Sequence, residues 1–292
     1  MINGLTDSDR YLYHYTKART AVDHILKDYT LRMGPYAKTN DPKETKSWQF
    51  DLGTNQERDL GAYRMSELSD RMNKSLKSKT SVLCFSKDER NLTGSNIDDV
   101  TKRGFMKPRM WAQYADNHRG VCLVIDKAKM LQSFDVAMET EPLSVHGPVQ
   151  YVNRSFLHGS DGYVYTISVD HIEQHGFEQF CWDYIRQFYR TLFFEKMTDW
   201  STEHEYRCIA FRDSEESLYL DIRSCLVGIL IGESADPADV ETIQELASPN
   251  GVEIMGISWK NGCPWYDYGN PVYSPALRQW GQPAEQGAVS NP

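Results

Sequence analysis

The stretch LYHYTKARTAVDHILKDYTLRMG, residues 12–34, decides the fold class because it predicts a strand, a helix and a second strand in immediate succession. Aromatic and β-branched residues in LYHYT favour a strand, and apolar residues recur at helical spacing between Arg19 and Lys27. In that first strand, Leu12, His14 and Thr16 would share one face. A polar ring on a strand face needs a reason, so His14 is a candidate functional residue.

Further predicted strands alternate irregularly with predicted helices along the rest of the chain. The strands are expected at Thr80–Ser86, Val121–Ile125, 149–152, Tyr206–Phe211, Cys225–Gly232 and Gly251–Trp259. The helices are expected at Glu44–Lys77 with breaks near Gly53 and Gly61, and at Arg109–Ala115, Glu178–Lys196 and Ala238–Leu246. Because no regular strand–helix–strand alternation is present, we predict a single α+β domain over residues 1–275. The polar segment at 276–292 is expected to be disordered.

The bulk composition favours a soluble, cytoplasmic protein. A hydrophobic content of 40% is enough for a core, and no stretch approaches the roughly 20 consecutive apolar residues of a membrane helix. The start MINGLTDSDR lacks the basic and apolar regions of a signal peptide. The 6 cysteines are scattered without a CxxC motif, so we interpret them as reduced core residues.

The net charge of −9 argues against a protein that coats nucleic acid without specificity. Charge is nevertheless uneven, with ten Lys or Arg against four Asp or Glu between Arg71 and Arg109. Between Glu195 and Glu253 the counts are four against fourteen. The basic stretch is either a landing surface for nucleic acid or one of two solvated faces of opposite sign.

Several common catalytic motifs are absent from the sequence. It has no GxxxxGK[ST], GxGxxG, GxSxG or HExxH pattern. His171 and His175 have the i,i+4 spacing of two metal ligands on a helix, but no third ligand is nearby. We therefore interpret both histidines as structural or exposed.

The segment EHEYR holds the sharpest chemical signal, because two acids stand two residues apart directly before a strand. In extended backbone Glu203, Glu205 and Arg207 would share one face. Two like charges at the mouth of a strand are unfavourable unless a cation or a polar ligand lies beside them. The alternative is that Glu205 forms a structural salt bridge with Arg207 or Arg109.

Five segments, in this order, resemble a bacterial family known as domain of unknown function 2971. They are LYHYT, NDPKE, CFSKD, MWAQYADNHRGVCLVID and KMTDWSTEHEYR. The resemblance covers Leu12 to Phe211, and its most specific part is the pattern K-x-x-x-W-x-x-E-x-E-Y-R from Lys196 to Arg207. This family resemblance supplies no activity by itself.

The order of the same elements is also similar to the ADP-ribosyltransferase superfamily, in particular its branch of toxins that modify DNA or RNA. Those enzymes begin with a strand carrying His or Arg, continue with a central strand carrying Ser, and place a catalytic Glu at the start of a later strand. Here His14, Ser86 and Glu205 occur in that order. The resemblance implies a mixed, split β-sheet with helical insertions.

The resemblance also implies NAD as a substrate and a role for each matching residue. Glu205 would stabilise the positive charge that develops on the ribose when nicotinamide leaves, and Glu203 would orient the acceptor or accept its proton. Ser86 and the aromatic face of Phe85 or Tyr114 would lie beside nicotinamide. The other residues assigned to NAD binding are His14 and Thr16 at the two riboses, Tyr15 beside them, and Arg109 or Lys107 at the pyrophosphate.

An enzyme of this kind implies a nucleic acid or protein acceptor and a toxin or anti-phage defence role. A neutralising antitoxin or another defence-system partner is then expected, and no membrane partner. Two other hypotheses stay open. The chain is a non-catalytic sensor or partner-binding module of a defence system, or it is a metal-dependent nuclease built on Asp41, Glu44 and Glu205.

Overall fold

A computed structural model describes residues 2, 5, 7–95, 97–154, 162–214 and 216–266 of the chain. The predicted disordered tail at 276–292 lies outside these residues. The first strands are β1 Tyr11–Thr16, β2 Thr30–Pro35, β3 Asp51–Gly53, β4 Thr80–Ser86, β5 Val121–Asp126, β6 Leu143–Pro148 and β7 Gln150–Tyr151. The later strands are β8 Thr166–Ser168, β9 Glu195–Lys196, β10 Glu205–Phe211, β11 Leu218–Asp221, β12 Leu226–Ile231, β13 Glu253–Lys260 and β14 Cys263–Tyr266.

The helices lie between these strands along the chain, and the longest of them has 17 residues. They are α1 Ala18–Thr20, which continues as a π-helical turn at Ala21–Ile25, α2 Pro42–Thr45, α3 Met65–Ser78, α4 Pro108–Gln113, α5 Lys127–Ala137, α6 Val169–His175, α7 Phe177–Phe193 and α8 Pro237–Ala247. Short 3₁₀ turns occur at Tyr36–Lys38, Val100–Lys102, Gly162–Tyr165, Thr198–Glu203 and Ser248–Asn250. This mixture confirms the α+β class.

The chain divides into two compact units, each built from segments that are distant in sequence. The first unit takes described residues from 1–29, 88–127 and 225–266, and the second takes them from 30–87 and 128–224. The single domain over residues 1–275 stays a prediction.

The first unit contains a mixed sheet in the order β1-β5-β12-β13-β14. β1 and β5 are antiparallel, with Thr16 opposite Val121, and β12 and β13 are parallel. A core of apolar side chains includes Tyr13, Trp111 and Leu230, all fully buried. Burial of this apolar area is the main stabilising term of the unit.

The second unit contains an antiparallel sheet in the order β11-β2-β4-β10-β6 and two short parallel pairs, β3 with β8 and β7 with β9. α3 and α7 contribute Leu76 and Ile185 to its core, which also holds Tyr36 and Phe211. The helix α2 begins where Asp41 accepts a hydrogen bond from the Lys43 backbone N–H at 2.8 Å, with Pro42 in the first turn. Asp41 thus caps this helix.

The long helix expected at Glu44–Lys77 is wrong over much of its length. α2 ends at Thr45, β3 occupies Asp51–Gly53, and α3 begins only at Met65. Trp48 and Phe50 are buried while the residue between them is exposed, which is the period of extended backbone. The Trp48 N–H bonds the Asn73 side chain at 2.7 Å instead of a helical carbonyl.

The cysteines are free thiols, as expected, and four of them are buried. Cys84 is half-buried and Cys263 is exposed, so the prediction that all are core residues is wrong at Cys263. Across the described helices, no apolar run reaches the length needed to traverse a lipid bilayer.

Candidate functional site

The predicted catalytic glutamates lie beside the predicted serine in the second unit. Glu205 is the first residue of β10 and stands opposite Ser86, the last residue of β4, in the antiparallel register. The Ser86 hydroxyl donates a hydrogen bond to the Glu203 carbonyl oxygen at 2.8 Å. Because β10 is buried along its length and β4 along most of it, the sheet fixes the backbone at this corner.

A change of backbone conformation separates the two glutamates. Glu203 ends a 3₁₀ turn, His204 adopts the left-handed conformation with φ 44° and ψ 49°, and β10 begins at Glu205. The prediction of extended backbone through Glu203 is therefore wrong. The left-handed residue costs about 1–2 kcal/mol relative to ordinary backbone, so packing around it must compensate.

Despite this kink, the two carboxylates converge on one cation. The Lys196 ammonium lies 2.8 Å from Glu203 Oε2 and 2.8 Å from Glu205 Oε2. Lys196 belongs to β9, which pairs with β7. The cation that two neighbouring acids require is thus supplied by the chain itself.

Arg207 is the second cation at these carboxylates. Its Nε and Nη2 bind the two oxygens of Glu205 at 2.6 and 3.0 Å, a bidentate geometry suited to guanidinium and carboxylate. Nη2 also bonds Glu44, and Nη1 donates to the Phe193 carbonyl oxygen at 2.6 Å. The salt bridge between Glu205 and Arg207, the structural alternative of the sequence analysis, is confirmed.

We call the set formed by Glu44, Lys196, Glu203, Glu205 and Arg207 the carboxylate cluster. All five side chains are buried, and it holds three acids against two bases. The Glu44 Oε2 atom has no hydrogen-bond partner among the residues that the structure describes. The cluster therefore carries an excess of negative charge in a region screened from water.

These contacts set the protonation of the cluster. Burial by itself would raise the pKa of Glu205, but the charges of Arg207 and Lys196 outweigh it and lower that pKa to about 2. Burial would likewise lower the pKa of Lys196, and the neighbouring charges of Glu205 and Glu44 raise it instead. Glu205 is therefore an ionised carboxylate throughout the physiological range.

Two aromatic side chains border the carboxylate cluster. The Tyr151 hydroxyl accepts a hydrogen bond from the Glu205 backbone N–H at 2.8 Å. The Lys196 ammonium lies 5.0 Å from the centre of the half-buried Trp200 ring, a cation–π distance. Trp111, by contrast, is fully buried in the core of the first unit.

The other predicted NAD-binding residues are divided between the units. Phe85, in the second unit, is buried on β4. In the first unit His14 is the half-buried residue of an otherwise buried β1, and Thr16 is buried at its end. The Tyr15 hydroxyl donates to the Gly104 carbonyl oxygen at 2.8 Å, so this side chain is a core residue.

Two predicted NAD ligands lie on or next to α4 of the first unit. Arg109 is exposed in the first turn of the helix, and Tyr114 is half-buried directly after its last residue. Lys107 is buried and pairs with Glu89. Since His14 belongs to the first unit and Glu205 to the second, their common cavity stays a prediction.

The basic stretch from Arg71 to Arg109 is only partly available to phosphates. Four of its cations are buried: Lys77, Lys79, Arg103 and Lys107. Lys79 pairs with Asp213 and Arg103 with Asp88. Exposed cations of the stretch are Arg71, Lys74, Arg90 and Arg109.

The contacts of Asp41, Glu44 and Glu205 do not support the hypothesis of a metal-dependent nuclease. Within the described ranges, no three His, Cys, Asp or Glu side chains are grouped so as to hold a metal ion. Asp41 caps α2, and both Glu44 and Glu205 bind Arg207. His171 bonds Asp183 at 3.2 Å, in keeping with the structural role predicted for it.

Sequence reasoning missed Lys196 as a member of the carboxylate cluster, and it grouped Glu44 with Glu205 only in the nuclease hypothesis. Glu44 is the last residue of NDPKE, and Lys196 opens the pattern that ends at Arg207. The spacing of these two motifs along the chain does not indicate that they meet. The pairing of Arg207 with Glu44 is the contact that joins them.

Residues 110–208 match the family model described as "Protein of unknown function (DUF2971)". The predicted family resemblance is confirmed over this segment. The DUF2971 segment includes most of α4, all of β5 and the start of β10. It contains every member of the carboxylate cluster except Glu44. No curated protein and no solved structure matches the chain, so the likeness to ADP-ribosyltransferases stays a prediction.

Proposed function

We propose that the chain is an ADP-ribosyltransferase-like enzyme that uses NAD to modify a macromolecule as a toxin or anti-phage defence effector. The observation that carries the proposal is the register of β4 and β10, which sets Ser86 opposite Glu205 at the start of a strand. That is the juxtaposition implied by the resemblance. The exposed cations Arg71, Lys74 and Arg90 favour nucleic acid as the acceptor.

The electrostatics of the carboxylate cluster suit this chemistry. Breaking the bond between nicotinamide and ribose develops positive charge on the ribose ring, and a fixed carboxylate stabilises that charge. Arg207 and Lys196 keep Glu205 ionised. Three acids against two bases leave net negative charge to face the cationic transition state.

The two glutamates that would act on NAD are buried in the structure. Glu205 is 4% exposed and Glu203 2%, and both contact Lys196. A bound ribose would therefore need the packing around the carboxylates to open. In this proposal NAD binding opens it, while Lys196 stays in contact with both acids.

The same burial favours a second candidate function, a non-catalytic partner-binding module of a bacterial defence system. In that role the carboxylate cluster would only fasten β10 to α2 and β9. The observation in its favour is that both oxygens of Glu205 are already bound to cations. The two candidates differ in whether Glu205 takes part in chemistry.

Incubation of the purified protein with labelled NAD and a mixture of DNA, RNA and cell protein separates them. The transferase predicts nicotinamide release and label transfer, with a loss on the order of 100-fold or more in Glu205→Gln. The exposed Glu67→Gln is the matched control, and circular dichroism verifies that each variant is folded. No release by the folded wild type would rule out the transferase.

Expression in cells supplies a second readout. Toxicity that Glu205→Gln abolishes supports an enzyme, provided that the variant accumulates to the level of the wild type. Toxicity that persists in Glu205→Gln supports the binding module.

A further inference from the structure

Lys196 has a place in the second unit that neither its motif nor the family resemblance explains. Its ammonium is equidistant from two carboxylates, 2.8 Å from Glu203 Oε2 and 2.8 Å from Glu205 Oε2. The side chain is 6% exposed, so bulk water contributes little to these contacts. A buried lysine in this position replaces the solvation of both acids at once.

The backbone around Glu203 and Glu205 brings both carboxylates to Lys196. Glu203 and Glu205 lie on different elements, and the left-handed His204 between them turns both side chains toward β9. The strand pair β7–β9 fixes the Lys196 backbone, since Val152 N–H bonds the Lys196 carbonyl oxygen at 2.9 Å. The Trp200 ring covers the ammonium from a further side.

We propose that Lys196 is a positioning residue of the transferase site, which holds Glu203 and Glu205 at one point so that both face the reacting ribose and its acceptor. This role rests on the proposed function. Lys196 need not touch the substrate to act. It holds two acids side by side, where one would stabilise the ribose cation and the other would take the acceptor proton.

Without Lys196, the two carboxylates would repel each other and one of them would take up a proton. Other titratable groups face the cluster from neighbouring elements: Glu44 on α2, Cys84 on β4, Tyr151 on β7, and Tyr36 and Arg207. Glu195, next to Lys196, is paired with Lys43 and Arg154. Burial raises the pKa of Cys84, Tyr151 and Tyr36, so these groups do not titrate in the acid range.

The test compares the pH dependence of NAD turnover in the wild type, Lys196→Met and Lys196→Arg. In the wild type, kcat is expected to be flat down to the lowest pH at which the protein is folded. In Lys196→Met, kcat falls on the order of 100-fold at neutral pH with KM for NAD nearly unchanged. It also declines further with acidification, through an apparent pKa above the ordinary glutamate value of 4.5. Lys196→Arg restores the flat profile in part.

The exposed Lys46→Met is the matched control and keeps the wild-type profile. If Lys196→Met fails to fold, the double variant Lys196→Met/Glu203→Gln takes its place. It carries one buried charge fewer than Lys196→Met, and we expect it to fold. It is expected to keep the flat profile of the wild type at a lower kcat. A purely structural role would lower the melting temperature and leave the pH profile of kcat unmoved, which would overturn the proposal.

Different results would contradict the positioning role of Lys196 and the transferase function. No turnover by the wild type removes the transferase and the positioning role together. Turnover by the wild type with an unshifted profile in Lys196→Met removes the positioning role alone.

Discussion

Glu205 in the second unit and Asp88 in the first are both buried acids that bind a buried arginine. Asp88 accepts hydrogen bonds from Arg103 at 2.9 Å and from the Gly104 backbone N–H at 2.7 Å. Burial nevertheless raises the pKa of Asp88 above its ordinary value of 3.8. The pKa of Glu205 moves the other way, to about 2.

The number and geometry of the cations account for this difference. Arg103 meets Asp88 through Nη1, whereas Arg207 binds Glu205 with two nitrogens and Lys196 adds a second positive charge. At Asp88 burial outweighs the attraction of Arg103, whereas at Glu205 the charges of Arg207 and Lys196 together outweigh burial. A buried acid next to an arginine therefore cannot be assumed to have a lowered pKa.

The largest expected effect comes from removing either arginine. Arg207→Met leaves Glu44 and Glu205 without their shared cation, and we expect a loss of about 3–5 kcal/mol in the free energy of unfolding, measured with urea. Arg103→Met is expected to lose less, and to regain part of the loss on acidification because Asp88 then takes a proton. Equal losses with equal pH dependence would contradict the distinction between the two acids.

The pH dependence of stability is the next largest effect, and the two acids act with opposite signs. Since the pKa of Glu205 is lower in the folded state, its contribution is complete above about pH 4.5 and is lost toward pH 2. It amounts to on the order of 3 kcal/mol. Asp88 takes up its proton more readily when folded, so it removes stability as pH rises from 3.8 through its raised pKa.

The variant Asp88→Asn separates the contribution of Asp88 to the pH dependence of stability from that of Glu205. Urea unfolding between about pH 4 and 6 is expected to show a more positive slope of stability with pH in Asp88→Asn than in the wild type. The same slope in both proteins would mean that the pKa of Asp88 is not raised.

The sequence predicted the strands that frame the carboxylate cluster but not the cluster itself. β4 and β10 were predicted within one residue because apolar and β-branched side chains fill them. β6 was missed because Gly147 and Pro148 weaken its pattern, and pairing with β10 stabilises it instead. The meeting of Glu44 with Arg207 depends on tertiary packing between residues far apart in the chain, which local spacing does not encode.

The smallest expected effect concerns two histidines with positive φ, one in each unit. His204 has φ 44° and His118 has φ 67°. At each position the Gly variant is expected to be about 1 kcal/mol more stable than the Ala variant, because glycine adopts this conformation freely. Both substitutions at His118 also lose its stacking on Trp111, with ring centres 6.0 Å apart. Thermal unfolding checks this, and an Ala variant as stable as the Gly variant would contradict it.

A carbon-13 titration of the side-chain carboxyls tests the central claim most directly, with Glu205 assigned from the signal lost in Glu205→Gln. We expect the Glu205 carboxyl to titrate at about pH 2 and to stay ionised where exposed glutamates take up protons. In the same spectra Asp88 is expected to titrate above 3.8. A Glu205 midpoint at or above the ordinary value of 4.5 would show that Arg207 and Lys196 do not hold it as an anion, and would contradict the account.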